Sequence, residues 1–392
     1  MWNDWKVIDA DAHFHEPIDL WDKWLEPAYK DRVPKVIGLN GINFVYEPDG
    51  KIIPMGEGKT GHSPEAYRWL EEKYGEAYHR WWSSDIRLAD MDTFGWDIQV
   101  ILPTGGNGNF AADASLKDPD VGAALSRAYH NFCVDYCSLN SARLKFIAVL
   151  PAGDTVLMMK EAKRSLEDLG AVAFRNPLLP DGKWLHHREF DVLWELATDC
   201  DVPVLCHGEY LRRRFQPFAS IKRDESAFAA LDHAIGFAFD NMASVGQFIF
   251  GGILERNPKL RVGILESNVG WVPFWLDRLD AHAEGRQSAF GDSTLMTLKP
   301  SEYFMRQCII SADADEGSMK YAVDYLGDDH IVFNTDYPHP DAPDPKSVRP
   351  SFFEQPISDK AKKKILWDNA ITLYGKKLET EFESYLETKE LL

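Results

Sequence analysis

Eight short apolar runs recur along this chain, and they constrain its fold more than any other feature. The runs are Lys6–Ala10, Ile98–Pro103, Lys145–Pro151, Ala171–Arg175, Pro203–His207, Arg261–Glu266, Gln307–Ser311 and Ile331–Asp336. They are rich in β-branched residues and apolar throughout, which is typical of strands covered on both faces of a parallel sheet. Helical patterns such as Val121–Tyr136 separate most of them. Eight strands alternating with helices predict an α/β fold, specifically a (β/α)8 TIM-type barrel.

Two segments exceed a minimal barrel. Residues 33–85 follow the first predicted strand and contain a hairpin that turns at Pro48-Asp49-Gly50. A helix follows this hairpin, with Ser63 as its N-cap and Pro64 at its first position. We expect this insertion to form a cap over the barrel mouth. Residues 358–392 predict a C-terminal helical tail, and we interpret residues 1–392 as a single domain.

Charge and composition exclude several classes of partner. The chain has 392 residues and a formal net charge of −19, which repels phosphate backbones and anionic membranes. No apolar run reaches the roughly 18 residues that span a bilayer, and the N-terminus lacks the basic and apolar regions of a signal peptide. Five cysteines without a CxxC pair predict reduced thiols in a cytoplasmic protein. Trp81 and Trp82, predicted to be exposed, indicate a homodimer.

Metal-ligating residue types follow several of the predicted strands. His13 and His15 follow the first strand, His207 ends the fifth and Asp336 ends the eighth. In a barrel such positions face the active-site mouth, and residues two apart on an extended chain face the same side. Three imidazoles and a carboxylate suit one divalent metal ion. We predict Zn²⁺ first, with Mn²⁺, Fe²⁺ and Co²⁺ as alternatives.

Other strand ends carry candidates for substrate binding. Arg175 could bind a substrate carboxylate through its bidentate fork, as could the run Arg212-Arg213-Arg214. Asn176, His339 and Trp271 are further candidates, although Trp271 lies four residues from Trp275 at a spacing that also suits helix packing.

Two more residues are candidates for proton transfer. Glu266 ends the apolar sixth strand, so its carboxylate could ligate the metal, act as a general acid with a raised pKa, or pair with an arginine. His233 lies in a helical pattern and either reaches the site or packs within the fold.

Several longer motifs carry a family resemblance. They are Asp9–Pro17 (DADAHFHEP), Arg87–Thr104 (RLADMDTFGWDIQVILPT), residues 251–280, Ile331–Asp341 (IVFNTDYPHPD) and Lys364–Gly375 (KILWDNAITLYG). Together they resemble the amidohydrolase-related family, in the branch of the aminocarboxymuconate-semialdehyde decarboxylase-like enzymes. The resemblance implies a mononuclear metal site held by His13, His15, His207 and Asp336, where Asp336 also handles a proton. Some relatives carry a carboxylate at the position of Glu16, so either Glu16 or Glu266 could join the metal shell.

The chain departs from this family after the sixth strand. Many relatives have a histidine followed by glycines there, which acts in proton transfer, whereas this chain has Glu266-Ser267-Asn268. Glu266 or His233 would then take over the proton transfer. The missing histidine favours hydrolysis over decarboxylation.

We therefore expect a metal-dependent hydrolase of a small organic substrate, aromatic or carboxylate-bearing. The metal would lower the pKa of a bound water toward ~7, and Asp336 would accept its proton. The alternative is a metal-dependent, non-oxidative decarboxylase of an aromatic or muconate-type acid. A second alternative is a metal-binding barrel without catalytic activity.

Overall fold

The computed structural model describes Trp2 and residues 4–17, 19–33, 35–39, 42–46, 52–54, 64–104, 107–208, 226–285 and 296–390. The strands within them are β1 (Ile8–His13), β2 (Lys35–Leu39), β3 (Ile42–Tyr46), β4 (Ile52–Pro54), β5 (Ile98–Leu102), β6 (Leu144–Phe146), β7 (Phe174–Arg175), β8 (Val204–His207), β9 (Val262–Leu265), β10 (Cys308–Asp313) and β11 (Ile331–Asn334). Every apolar run named in the sequence analysis overlaps one of these strands.

Helices occupy most of the chain between the strands. The longer ones are Pro64–Tyr74, Ser84–Phe94, Asn107–Lys117, Pro119–Cys137, Thr155–Lys163, Asp191–Asp199, Ser226–Phe250, Val272–Gly285, Pro300–Gln307, Met319–Leu326, Pro345–Glu354 and Lys376–Glu390. Shorter helices are Leu20–Trp24, Glu76–His79, Ile253–Arg256, Asp359–Lys363 and Asn369–Tyr374.

The strands predicted for the barrel form two parallel sheets, ordered β1-β5-β6 and β11-β10-β9-β8-β7. The predicted α/β class with parallel sheets is therefore confirmed. Backbone bonds also link the sheets: Asp336 N donates to Asp11 O at 2.9 Å and His13 N donates to Tyr337 O at 2.7 Å. Ala148 forms a parallel bridge with Phe174. These contacts place β1 beside β11 and β6 beside β7, and the TIM-type barrel remains our interpretation of that order.

A buried side-chain contact strengthens the link between β1 and the end of β11. The Asp9 carboxylate accepts hydrogen bonds from Thr335 N at 2.9 Å and Thr335 Oγ1 at 2.6 Å, and from Gln99 Nε2 at 2.8 Å. Burial raises the pKa of Asp9 to about 7. This cluster of bonds fixes the strand end that carries Asp11 and His13.

The insertion contains the predicted hairpin, because β3 and β4 pair antiparallel and β2 adds to β3. The turn Pro48-Asp49-Gly50 and the cap Ser63 lie outside the described residues. The exposure expected for Trp82 is wrong: it is 1% exposed and packs on Tyr74, whereas Trp81 is 44% exposed. The argument for a homodimer from exposed tryptophans therefore rests on Trp81 alone.

The predicted C-terminal tail consists of helices that pack on the strands. Trp367, Leu373 and Phe382 belong to the same buried cluster as Ile8 and Ile98. The Tyr374 hydroxyl donates to the carbonyl of Ala10 at 2.7 Å. Within the part of the chain that the structure describes, no helix combines the length and apolarity needed to cross a membrane.

Candidate metal centre

The end of β1 presents Asp11 and His13 on one side of the strand, because side chains alternate along it. The ring atom Nδ1 of His13 lies 3.1 Å from the carbonyl of Pro103, to which it donates in the neutral tautomer. That bond leaves Nε2 with a lone pair directed at neighbouring acidic groups. A backbone carbonyl that fixes the tautomer in this way is common behind metal-binding histidines.

Ligand-type atoms from four strand ends surround His13 Nε2. Asp11 Oδ1 lies 3.3 Å away, Asp336 Oδ1 3.1 Å and His207 Nε2 3.4 Å. Glu266 Oε2 lies 3.8 Å from His13 Nε2 and 2.6 Å from His207 Nε2. Two overlapping groups that could hold a metal ion result: Asp11, His13 and His207, and His13, Glu266, Asp336 and His339.

These atoms could hold a divalent cation because their close neighbours include other ligand-type atoms. Both carboxylate oxygens of Asp11 and Oε2 of Glu266 are buried without a hydrogen-bond partner among the described residues, and Oδ1 of Asp336 faces the imidazoles of His339 and His13. Burying unpaired carboxylates costs several kcal/mol, so such a set is stable only with a compensating positive charge. Imidazole nitrogens and carboxylate oxygens are suitable ligands for Zn²⁺ and Mn²⁺.

The pKa values of these ligand-type side chains shift in different directions. Burial lowers the pKa of His207 to about 3, so its imidazole is neutral and available as a ligand. Burial and the charge of Asp336 raise the pKa of Glu266 well above its usual range. Burial alone would raise the pKa of Asp336, but the imidazoles of His339 and His13 outweigh it and lower this pKa. Of these two carboxyl groups, Glu266 is therefore the one whose pKa is raised by its surroundings.

Backbone geometry supports this arrangement. Glu266 and Asp336 have φ values of +48° and +56°, and Asn268 has +56°. These left-handed conformations are uncommon for residues other than glycine and persist where the surrounding structure enforces them. Asn241 Nδ2 donates to Leu265 O at 2.7 Å directly before this turn.

His15 is placed differently from its prediction. Its ring lies 4.3 Å from the ring of Trp81 and 4.5 Å from that of Trp82, and it belongs to neither group of potential ligands. β1 ends at His13, so the alternation that would align His15 with it does not continue. Asp11, rather than His15, joins His13 in one of the groups of potential ligands. Sequence reasoning missed Asp11, although the same two-residue spacing in DADAH pointed to it.

Glu16 lies outside the two groups of potential ligands, whereas Glu266 belongs to one of them. Its Oε1 accepts from Thr104 N at 3.1 Å and from the Tyr129 hydroxyl at 3.2 Å. Burial raises the pKa of Glu16 to about 8. Glu266 instead belongs to the ligand-type residues Asp11, His13, His207, Glu266 and Asp336, which are called the donor set below. The arginine pairing considered for Glu266 is wrong for Arg261, whose guanidinium bonds to Asp201 and to the carbonyl of Leu373.

Arg175 and Asn176 are buried beneath the site. Nη2 of Arg175 donates to the carbonyls of His207 and Gly208, the latter at 2.6 Å. Arg175 is 2% exposed and Asn176 is 4% exposed. Neither lines the cavity beside the donor set. Arg175 therefore supports the backbone at His207, and the prediction that these two residues bind substrate lacks structural support.

His339 lies directly against the donor set. Its Nδ1 lies 2.7 Å from Asp336 Oδ1, and its ring stacks on that of His13 with centroids 3.8 Å apart. By contrast, Trp271 donates through Nε1 to the carbonyl of Ser267 at 3.0 Å and packs on the core, as the helix-packing alternative predicts. The side chain of His233 and the run Arg212-Arg213-Arg214 lie outside the described residues.

A cavity of about 210 Å³ opens beside the donor set. Its described lining comprises the acidic residues Glu266, Asp313, Asp336 and Asp341, the polar residues Ser267 and Asn268, and the apolar residues Ala234, Phe237, Ala238, Ala342 and Pro343. Four acidic side chains around one cavity repel an anionic ligand unless a bound cation offsets them. The size of the cavity suits a small molecule.

The helix Pro64–Tyr74 of the insertion contacts the loop that follows β11. Lys73 Nζ donates to the carbonyl of Pro340 at 3.2 Å and also to that of Ala342. The Tyr74 hydroxyl donates to the carbonyl of His339 at 2.8 Å. The helix Pro64–Tyr74 therefore holds the loop that follows β11.

This protein has an α/β fold with parallel sheets, and buried imidazoles and carboxylates at the carboxyl ends of its strands could hold a metal ion. The chain belongs to the amidohydrolase family, because the family model described as amidohydrolase matches residues 8–376. The resemblance inferred from its motifs is thereby confirmed.

A curated relative carries the decarboxylase name of the branch that the motifs indicated. The 2-amino-3-carboxymuconate-6-semialdehyde decarboxylase of Dictyostelium discoideum is 22% identical over 259 residues, which are 66% of this chain and 67% of the relative.

Solved structures show the same fold. An amidohydrolase from Mycobacterium avium subsp. paratuberculosis has a TM-score of 0.72 at 19% identity, covering 95% of this chain and 100% of that chain. The 5-carboxyvanillate decarboxylase of Novosphingobium aromaticivorans, complexed with manganese and 4-hydroxy-3-methoxy-5-nitrobenzoic acid, has a TM-score of 0.68 at 20% identity. That likeness covers 95% of this chain and 96% of the other.

Proposed function

We propose that this protein is a metal-dependent, non-oxidative decarboxylase of a small aromatic or muconate-type acid. The observation that carries the proposal is the carboxyl group of Glu266, which lies at the donor set with a raised pKa. Decarboxylation needs such an acid, because the carbon that loses CO₂ must receive a proton. The decarboxylase names of two relatives support the same reaction, whereas the comparisons lend no support to the hydrolase expectation.

Asp11, His13, His207 and Asp336 would hold the metal. When bound there, a divalent ion supplies Lewis-acid polarisation of the substrate oxygens. Zn²⁺ remains our prediction from the ligand types, and Mn²⁺ is the ion present in the solved decarboxylase. His339 orients Asp336 through the contact of its Nδ1 with Oδ1.

Glu266 is assigned the proton transfer. The bond between the ring or chain carbon and the carboxylate breaks, and CO₂ leaves without the bonding electrons. The electron pair left on the carbon takes the proton from Glu266 Oε2, and Glu266 regains a proton from water after product release. In this way Glu266 replaces the histidine that many relatives carry after the sixth strand.

The cavity walls would orient the acid and limit its access to water. The ring of Phe237 lies 6.0 Å from that of His207 in an edge-on arrangement, at the apolar side of the cavity. An aromatic or conjugated substrate would pack against this side while its carboxylate faces the donor set. Apolar contacts of this kind also strengthen the electrostatic interactions inside the site.

A test of the reaction would load the protein with Mn²⁺ or Zn²⁺ and measure CO₂ release from 5-carboxyvanillate, hydroxybenzoates, aminobenzoates and muconate-type acids. We expect stoichiometric CO₂ and the corresponding product from at least one acid. Esters, amides and β-diketones are assayed in parallel with the same preparations. Hydrolysis of one of these without CO₂ release from any acid would overturn the proposal and restore the hydrolase interpretation.

A further inference from the structure

Ser267 carries a buried hydroxyl that has no partner. The residue is 7% exposed, lines the cavity, and its Oγ forms no hydrogen bond with the described residues. Its backbone is engaged, because its carbonyl accepts from Trp271 Nε1 at 3.0 Å. Buried hydroxyls are nearly always hydrogen-bonded, so an unpaired one at a cavity wall indicates a partner that occupies the cavity.

Asp313 lines the same cavity from the end of the neighbouring strand, β10. Its Oδ1 accepts from Asn334 Nδ2 at 2.8 Å, and its Oδ2 accepts from Asn268 Nδ2 at 3.1 Å. These two amides fix the plane of the carboxyl group. A carboxylate can accept about four hydrogen bonds, so each oxygen keeps capacity for a ligand.

The two side chains have complementary requirements. The Ser267 hydroxyl can donate or accept one hydrogen bond. Burial raises the pKa of Asp313 to about 7, so above that pH its carboxylate can only accept. A group that accepts from Ser267 and donates to Asp313 is a hydroxyl or an uncharged amine. A second carboxylate on the ligand would satisfy Ser267 but would be repelled by Asp313 and by the neighbouring Asp341.

We infer that Ser267 and Asp313 form a specificity subsite for a hydroxyl or amino substituent of the substrate. This inference rests on the proposed function, and it narrows the substrate class to hydroxy- or amino-substituted acids. The subsite is separate from the residues that hold the metal, because Ser267 and Asp313 belong to neither group of potential ligands. A ligand that satisfied both would be fixed at its carboxylate and at this substituent.

The test measures binding of named probes rather than turnover. Benzoate, the ortho, meta and para isomers of hydroxybenzoate, and the matching methoxybenzoates are titrated calorimetrically into Mn²⁺-loaded protein. We expect one hydroxybenzoate isomer to bind at least about tenfold more tightly than benzoate. Its methoxy counterpart should lose this gain, because an ether cannot donate a hydrogen bond to Asp313.

Ser267→Ala and Asp313→Asn should each reduce the preference for that isomer by about tenfold while benzoate affinity stays within about twofold. A preference for the ortho isomer that arises from metal chelation would survive in both variants. The experiment therefore distinguishes chelation by the metal from hydrogen bonding at Ser267 and Asp313. Ser126→Ala is the matched control. Ser126 is also buried with an unpaired Oγ, but it lies in the helix Pro119–Cys137 and does not line the cavity.

Thermal unfolding of each variant excludes a general loss of fold. The inference is overturned if no hydroxybenzoate binds more tightly than benzoate, if the preference persists in both subsite variants, or if Ser126→Ala abolishes it equally. It is also overturned if none of these ring acids binds, whereas CO₂ release from another acid would then leave the proposed reaction intact. Conversely, a subsite-dependent preference without CO₂ release from any acid would support the subsite and contradict the decarboxylase.

Discussion

Glu266 Oε2 and His207 Nε2 lie 2.6 Å apart at the ends of adjacent strands, β9 and β8. Oε2 of Glu266 forms no hydrogen bond with the described residues, and burial keeps the His207 imidazole neutral by lowering its pKa to about 3. Two electron-rich atoms at this distance require a shared positive charge, either a proton on Glu266 or a nearby cation. The site therefore joins the residues proposed to hold the metal to the residue proposed to transfer the proton.

The first prediction separates Asp11 from His15. Asp11→Ala should lower the affinity for Mn²⁺ or Zn²⁺ by at least about a hundredfold, because it removes an anionic ligand. His15→Ala should keep full metal occupancy and lower stability by about 1–2 kcal/mol through lost contacts with Trp81 and Trp82. Elemental analysis after dialysis and calorimetric titration measure both effects. Metal loss in the His15 variant alone would restore the pairing of His13 with His15.

The second prediction concerns Glu266. Glu266→Gln should lower kcat by about 10²–10⁴-fold, because an amide cannot deliver the proton, while the thermal midpoint changes by a few degrees or less. The exposed Glu195→Gln serves as the control. Burial and Asp336 raise the pKa of Glu266, and only its protonated form is active. The rate of the metal-loaded wild-type protein should therefore fall as pH rises through that pKa. A normal rate in the Gln variant would exclude Glu266 as the acid.

The third prediction links Glu16 to the pH dependence of stability. Burial raises the pKa of Glu16 from 4.5 to about 8, so the folded state binds this proton more tightly than the unfolded state. Its contribution is complete below about pH 4.5 and is lost as pH rises toward 8. Glu16→Gln should flatten this decline by on the order of 1–3 kcal/mol in urea unfolding between pH 5 and 8. The exposed Glu387→Gln should leave the profile unchanged, and equal profiles for wild type and Glu16→Gln would contradict the assignment.

The fourth prediction distinguishes two roles for Arg175. If it supports the backbone at His207 and Gly208, Arg175→Met should lower stability by about 2–4 kcal/mol and weaken metal binding, since buried carbonyls lose their charged donor. Arg175→Lys should recover part of both losses. Metal titration and denaturant unfolding provide the readouts. A rise in KM alone, with metal affinity and stability unchanged, would instead support the predicted role in binding a substrate carboxylate.

The parallel strands could be predicted because a strand that is buried on both faces is apolar at successive positions of the sequence. Runs such as Val204–His207 and Ile331–Asn334 are mostly apolar at successive positions; His207 ends the first, and Asp336 follows the second by two residues. His207 and Asp336 were found for this reason. Glu266 was identified from the same pattern, but its role depended on which groups face it, and that information comes from three other strands.

The ligands on β1 were harder to predict because the sequence does not show where the strand ends. Asp11, His13 and His15 share one spacing, so alternation alone cannot choose between two adjacent pairs. In the structure, His15 packs against the rings of Trp81 and Trp82, which are distant in sequence, whereas Asp11 lies beside His13. The packing of Arg175 under His207 is likewise a tertiary contact that a strand-end position does not reveal.

The hydrogen bonds from Lys73 and Tyr74 to the loop after β11 join segments separated by some 265 positions along the chain. A displacement of the helix Pro64–Tyr74 would therefore be transmitted to His339 on one side and to the cavity wall at Ala342 on the other. Under the proposed function, substitutions in this helix would change the preference among substrates while leaving every residue proposed to hold the metal in place.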